Sequence, residues 1–200
     1  ERAVRIAVYG QELETAIEAA QRWVELDPER IEARQVIAAI YVRQGKADAA
    51  FSYIDGLIET SEADDAQLFP SLLGILAREK NVETVLGVSE RLAEKYPDRA
   101  YAQYLHGMLA AQSGQAEISL EYLDRSLVLE EIDGVHAARA RVLLRLGRSV
   151  EAVVSLEKAV AGNPDNQNLR LTYARLLVDI KEYDKARAQF EKLHEAAPDD

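Results

Sequence analysis

Arg43-Gln44-Gly45-Lys46-Ala47-Asp48-Ala49-Ala50, Gln112-Ser113-Gly114-Gln115-Ala116-Glu117-Ile118-Ser119 and Arg145-Leu146-Gly147-Arg148-Ser149-Val150-Glu151-Ala152 superpose glycine on glycine, each with a small residue five places later. Gly114 and Gly147 are 33 residues apart. Working outward, Leu26-Asp27-Pro28, Lys95-Tyr96-Pro97, Gly162-Asn163-Pro164 and Ala196-Ala197-Pro198 close successive units; Pro164 to Pro198 is a step of 34, and Pro28 to Pro97 is 69, two such steps. A period of this size sets the architecture before any single element is considered.

Within a unit, the recurring apolar or small residues fall at positions 4, 7, 8 and 11 and again at 20, 24, 27 and 28, the i, i+3, i+4, i+7 mark of two amphipathic helices. Small residues at 8 and 20 let the two backbones approach. Gly at 15 supplies the turn, and Pro at 32 stops the second helix. One such hairpin cannot bury both apolar stripes, so the units must stack.

The spacing and residue types resemble the tetratricopeptide repeat, whose 34-residue unit favours these same positions. Pro198 at position 32 places the last unit at 167–200, with Tyr173, Ala174, Tyr183, Ala186 and Phe190 in phase. Before it lie 133–166 (Ala140, Gly147, Ala152, Leu156, Ala159, Pro164), 100–132 (Gly107, Gly114, Ser119, Leu123), 66–99 (Phe69, Leu72, Leu76, Leu92, Pro97) and 31–65 (Ile37, Ala38, Tyr41, Gly45, Ala50, Ile54). Residues 1–30 form a partial unit in which Ala16 matches Ala50. The unit 66–99 is degenerate, with Leu73, Lys80 and Val85 where small residues or Gly are favoured. Its hairpin is predicted to be distorted, with Asp64-Asp65 capping a delayed helix whose first turn holds Pro70. The expected fold is all-α, a right-handed superhelix of stacked antiparallel hairpins, one continuous solenoid cut from a longer array.

Composition agrees. Nearly half of the 200 residues are hydrophobic, enough for a sizeable core, and five prolines with ten glycines are too few for a loop-rich β protein. The formal charge of −11 argues against a nucleic-acid partner, because phosphate binding needs clustered Lys and Arg. No stretch is long and apolar enough to insert in a membrane. The absence of cysteine excludes disulfides, thiolate nucleophiles and Cys-rich zinc sites.

Catalytic and metal chemistry find no constellation. His106, His136 and His194 fall at repeat positions 7, 4 and 28 of different units, and no HExxH pair occurs, so packing or surface roles are expected and no cofactor. The pairs Asp64-Asp65, Glu130-Glu131 and Asp199-Asp200 stand at hairpin ends, where capping explains them.

The resemblance implies a concave groove lined by positions 2, 5, 9, 12 and 13 of each first helix, which share a face. These are Glu32, Gln35, Ala39, Val42, Arg43; Gln67, Pro70, Gly74, Ala77, Arg78; Tyr101, Tyr104, Met108, Ala111, Gln112; Gly134, Ala137, Arg141, Leu144, Arg145; and Asn168, Leu171, Arg175, Val178, Asp179. An acidic chain thus gathers Arg43, Arg78, Arg141, Arg145 and Arg175 beside Tyr101, Tyr104 and Met108, against only Glu32 and Asp179. Arg141 and Arg175 occupy one position in neighbouring units and are expected to flank an extended acidic or carboxylate-bearing segment of a protein partner. The carboxylate clamp known from this family needs Lys and Asn at inner positions. Position 6 here is Val36, Ser71, Leu105, Ala138 and Thr172, and position 9 is never Asn.

The expected function is a protein-interaction scaffold or adaptor and not an enzyme. The rival reading is a structural spacer or self-association module, joined through the array ends, that presents substrate to a separate enzyme. Phrases such as Ala16-Ile17-Glu18-Ala19-Ala20-Gln21-Arg22-Trp23 and Tyr183-Asp184-Lys185-Ala186-Arg187-Ala188-Gln189-Phe190 also resemble bacterial tetratricopeptide lipoproteins, some of them adaptors for periplasmic carboxyl-terminal processing proteases. That resemblance implies the periplasmic face of a membrane, reached through an N-terminal anchor; the residues themselves leave periplasm and cytoplasm both open.

Overall fold

The computed structural model describes residues 13–27 and 31–196. Pro28, Pro198 and residues 1–12 of the partial unit lie outside them. Among the described residues eleven helices follow in order: α1 (Leu13–Leu26), α2 (Ile31–Arg43), α3 (Ala47–Thr60), α4 (Asp65–Leu76), α5 (Val82–Lys95), α6 (Ala100–Gln112), α7 (Ala116–Leu129), α8 (Asp133–Arg145), α9 (Ser149–Gly162), α10 (Gln167–Asp179) and α11 (Tyr183–Ala196). All regular structure among the described residues is helical. The pairs α2/α3, α6/α7, α8/α9 and α10/α11 pack as hairpins that stack on one another.

The turns explain why these pairs close. Gly45, Gly114 and Gly147 hold φ of 74°, 81° and 72°. The next residue's amide then reaches back across the helix end: Lys46 N–H to the Tyr41 carbonyl, Gln115 to Ala110 and Arg148 to Leu143, each at 2.9 Å. This is the Schellman ending, which satisfies carbonyls that the helix terminus would otherwise orphan. Between α10 and α11 the same geometry recurs without glycine. Lys181 takes φ 65°, and Glu182 N–H reaches the Leu177 carbonyl at 2.8 Å.

The unit 66–99 departs from this plan. Asp64 caps α4 by accepting from the Gln67 amide at 2.9 Å, so the helix begins at Asp65 and Pro70 falls at its sixth residue. That corrects the sequence expectation of a delayed start with Pro70 in the first turn: the cap fixes the start, and the ring is accommodated on the exposed side of the second turn. Lys80 does not take a left-handed conformation; instead Asn81 caps α5, accepting from the Thr84 amide at 3.2 Å. With Leu73 and Val85 at the positions where small residues allow contact, α4 and α5 make no close backbone approach to each other. They pack instead on α6, with α4 also on α2 and α5 on α3. Large side chains, among them Phe69, Leu72, Leu92 and Val88, fill the space between.

The core is continuous through α6. Its Ala102, Leu105 and Leu109 join the cluster built from α2 to α5, while Tyr104, Met108 and Ala111 pack on the cluster that runs from α7 to α11. Gly107 allows α6 to sit tight on α7: a Cβ placed there would lie 3.0 Å from Leu123 Cγ.

Candidate functional site

The first helices of three successive units, α4, α6 and α8, line one open cleft of about 450 Å³. Its floor is small and apolar: Gly74 and Ala77 from α4, Ala111 from α6, Ala138 from α8. Pro70, Leu73 and Val142 extend it, and Met108, Gln112, Arg141 and Arg145 form the polar and flexible rim. Nothing lies within 4 Å of where a Cβ at Gly74 would stand, so this glycine is spare room in the cleft and answers no steric demand of the fold.

Several position-13 side chains prove to be structural struts. Arg145 Nη1 donates to the Ala111 carbonyl at 2.5 Å, and Gln112 Nε2 donates to the Ala77 carbonyl at 2.7 Å. Each ties a first helix to the C-terminal end of the one before, where the terminal carbonyls carry partial negative charge. This also removes the like-charge conflict between Arg141 and Arg145 on α8, since the second guanidinium turns toward α6. Arg43 reaches forward instead, donating through Nε and Nη2 to both carboxylate oxygens of Glu79 at 3.0 and 2.8 Å. Glu79 is only 7% exposed, and this bonding raises the already high pKa of Arg43.

Arg141 is left facing solvent at the rim, and among the described residues it makes no salt bridge. It lies near Tyr104. Burial pushes that phenol above its usual range, with the Arg141 charge acting in the opposite direction. The Tyr104 hydroxyl abuts Gly134, where an added Cβ would stand 3.6 Å away. Of the residues singled out in the sequence, Met108, Arg141 and Arg145 therefore come together in the cleft with Tyr104 adjoining. Tyr101 packs half-buried against the α2–α5 cluster, and Arg78 is exposed just past the end of α4. Arg175 is exposed on α10, outside the cleft, and does not pair with Asp179 among the described residues. Most of the floor, Gly74, Ala77 and Ala111, lies at groove positions named from the sequence, whereas Leu73, Ala138 and Val142 are lining residues that sequence reasoning misses. The floor's signal is the smallness of Gly74, Ala77 and Ala111 at positions 9 and 12, easily overlooked beside the charges.

His106 and His136 are packing residues, and His194 is exposed on α11. His106 is 2% exposed, its Nδ1 2.9 Å from Ser89 Oγ and its ring edge-on to Tyr122 at 4.3 Å between centroids. Burial lowers its pKa from 6.5 to about 4. His136 Nε2 bonds to Glu131. Among the described residues no three His, Asp or Glu side chains are grouped to hold a metal ion, and no helix is long and apolar enough to cross a membrane.

Comparison with known proteins bears on this arrangement. The profile of the tetratricopeptide-repeat family matches residues 135–200, and hairpins with the same glycine turn continue upstream of that match. Residues 135–200 thus match the tetratricopeptide-repeat family, and the chain as a whole has the fold of such arrays. It is 29% identical over 178 residues to the TPR repeat-containing protein PA4667 of Pseudomonas aeruginosa PAO1, an alignment that spans 87% of this chain and 29% of that protein. Among solved structures, MamA superposes with a TM-score of 0.57 at 14% identity, covering 96% of this chain and 93% of its own. YrrB, described as a TPR protein with an unusual peptide-binding site, gives 0.57 at 16% identity, covering 92% and 95%. At these identities the two structures show a shared fold. The family is a scaffold fold that generally mediates protein–protein interactions.

Proposed function

We propose that this repeat array is an adaptor that holds an extended segment of a partner protein in the cleft between α4, α6 and α8. The observation that carries this reading is the combination of a small-residue floor with a rim whose Arg141 makes no salt bridge among the described residues. A floor of glycine and alanine leaves depth for a partner's side chains, and a guanidinium beside the Tyr104 phenol is a ready donor to a carboxylate. Met108 supplies an adaptable apolar contact. The bound segment is therefore acidic or carboxylate-bearing, and Arg175 extends the positive track one hairpin further along.

Gly74 makes the test clean, because filling its position alters the cleft without touching the core. A displayed peptide library selected on the protein is expected to enrich acidic sequences that bind Gly74→Ala as well as wild type but fail on Gly74→Trp and on Arg141→Glu with Arg175→Glu. Peptides that bind all four proteins equally would refute the assignment of the cleft. A sedimentation series showing a concentration-dependent oligomer that needs no added peptide would favour the spacer and self-association reading instead.

A further inference from the structure

The opposite surface carries a second cleft, of about 570 Å³, between the second helices α5 and α7. Its origin is visible in the packing. The outer helices α3 and α5 are stitched together by Arg91 to Asp48 at 2.7 Å, by Lys95 to Asp55 and Glu59 at 2.6 and 2.8 Å, and by the Tyr96 hydroxyl to Asp55. No such set joins α5 to α7 among the described residues, and the two helices barely touch.

The floor between them is largely apolar. Ala93 and Pro97 lie on one side, Val128 and Leu129 on the other. Gln103 lies at the base, its amide already committed to the carbonyls of Ala93 at 2.8 Å and Tyr96 at 3.2 Å. Val128 is 86% exposed, an apolar side chain held out from a helix that has a well-filled core face. The walls carry three carboxylates: Glu121 holds Arg125, which is also stacked over Tyr122, Asp124 is paired with Arg139, and Glu94 makes no ion pair among the described residues, so it is the open negative charge of the cleft.

We infer that this outer cleft is a separate docking surface for an amphipathic helix of a partner protein, one that sets an apolar stripe on Val128 and Leu129 and places Lys or Arg against Glu94 and Glu121. Helix-in-groove recognition suits a channel between two helices, and charge complementarity selects its occupant. The carboxylate walls repel nucleic acid, and they repel the same surface of a second copy. This surface is distinct from the α4–α6–α8 cleft and prefers a partner of opposite charge.

The test uses a synthetic helix with Leu along one face and Lys on its flanks, together with its Lys-to-Glu counterpart. The basic helix is expected to bind and to shift the methyl resonances of Val128 and Leu129, and the acidic one to bind undetectably. Glu94→Lys combined with Val128→Ser, both on exposed side chains, should weaken binding about tenfold or more, whereas Glu157→Lys with Gly74→Trp should leave it within about twofold. Equal losses in the two double variants would mean diffuse attraction to an acidic protein and would overturn the proposal. So would methyl shifts located elsewhere, or no binding at all. Because Gly74→Trp blocks only the concave cleft, binding at the outer surface is measured independently of binding at the inner one.

Discussion

Gly107→Ala sets two physical effects against each other, and the structure decides the sign. On helix propensity alone the change stabilises, because alanine exceeds glycine in a helix interior by about 1 kcal/mol. The new Cβ, however, would lie 3.0 Å from Leu123 Cγ, 3.1 Å from its Cδ2 and 3.2 Å from its backbone nitrogen. Carbon pairs prefer about 3.5 to 4.0 Å, so α6 and α7 must part by several tenths of an ångström. Leu123 is fully buried and its amide cannot rotate aside. Parting the seam also stretches the 2.7 Å bond from Ser119 Oγ to the Gly107 carbonyl. Overpacking of this kind costs about 1 to 3 kcal/mol, which against the propensity gain leaves a net loss of about 0 to 2 kcal/mol, and three contacts at 3.2 Å or less, one of them to unyielding backbone, put it in the upper half of that range. Gly56→Ala and Gly87→Ala are the controls: nothing lies within 4 Å of either site, and each should gain about 0.5 to 1 kcal/mol. Urea unfolding gives the magnitudes, and hydrogen exchange localises the loss to α6 and α7, since repeat arrays open unit by unit. A Gly107→Ala protein as stable as its parent, with the controls behaving as stated, would refute the close-approach account of position 8.

Lys181→Gly should stabilise the last hairpin by on the order of 0.5 kcal/mol, because relieving a left-handed lysine outweighs the added freedom of the unfolded chain; exchange protection of α10 and α11 amides is the check. His106 makes stability fall as pH drops: the unfolded chain takes its proton near 6.5 and the folded one only near 4. Across that window the unfolded state binds more protons, for a loss of about 3 kcal/mol at most. His106→Gln should flatten that part of the curve, and an unchanged pH slope in the variant would assign the effect elsewhere. Glu79→Ala should destabilise by about 0.5 to 1 kcal/mol, since it removes the bidentate partner of Arg43, whose side chain is 46% exposed and stays solvated, with Glu79→Gln losing less; thermal denaturation compares them.

Repeat length and hairpin turns are legible in the sequence because they rest on local chemistry. Gly45, Gly114 and Gly147 announce a left-handed residue, and proline announces a helix end. Lys181 shows the limit of that signal, as the same backbone recurs where composition no longer marks it. Leu73 and Val85 announce the distortion at 66–99, yet where α4 and α5 pack after spreading depends on which distant surfaces remain open. The charged face of the first helices is readable from spacing. Which of its members are consumed is not: that Arg145 and Gln112 bridge to Ala111 and Ala77 depends on the distance between hairpins, a tertiary quantity. The outer cleft leaves only the faint trace of Val128, apolar where its helix should be polar.

The bonds from Gln112 to Ala77 and from Arg145 to Ala111 span neighbouring hairpins and no further. Each works like the wedge-shaped stone of an arch, setting the angle at one joint while the bend of the whole accumulates from many. Shortening a single such side chain would change the local curvature and with it the aperture presented to a partner, leaving every core residue in place. Groove width in this protein is in that sense tunable one joint at a time.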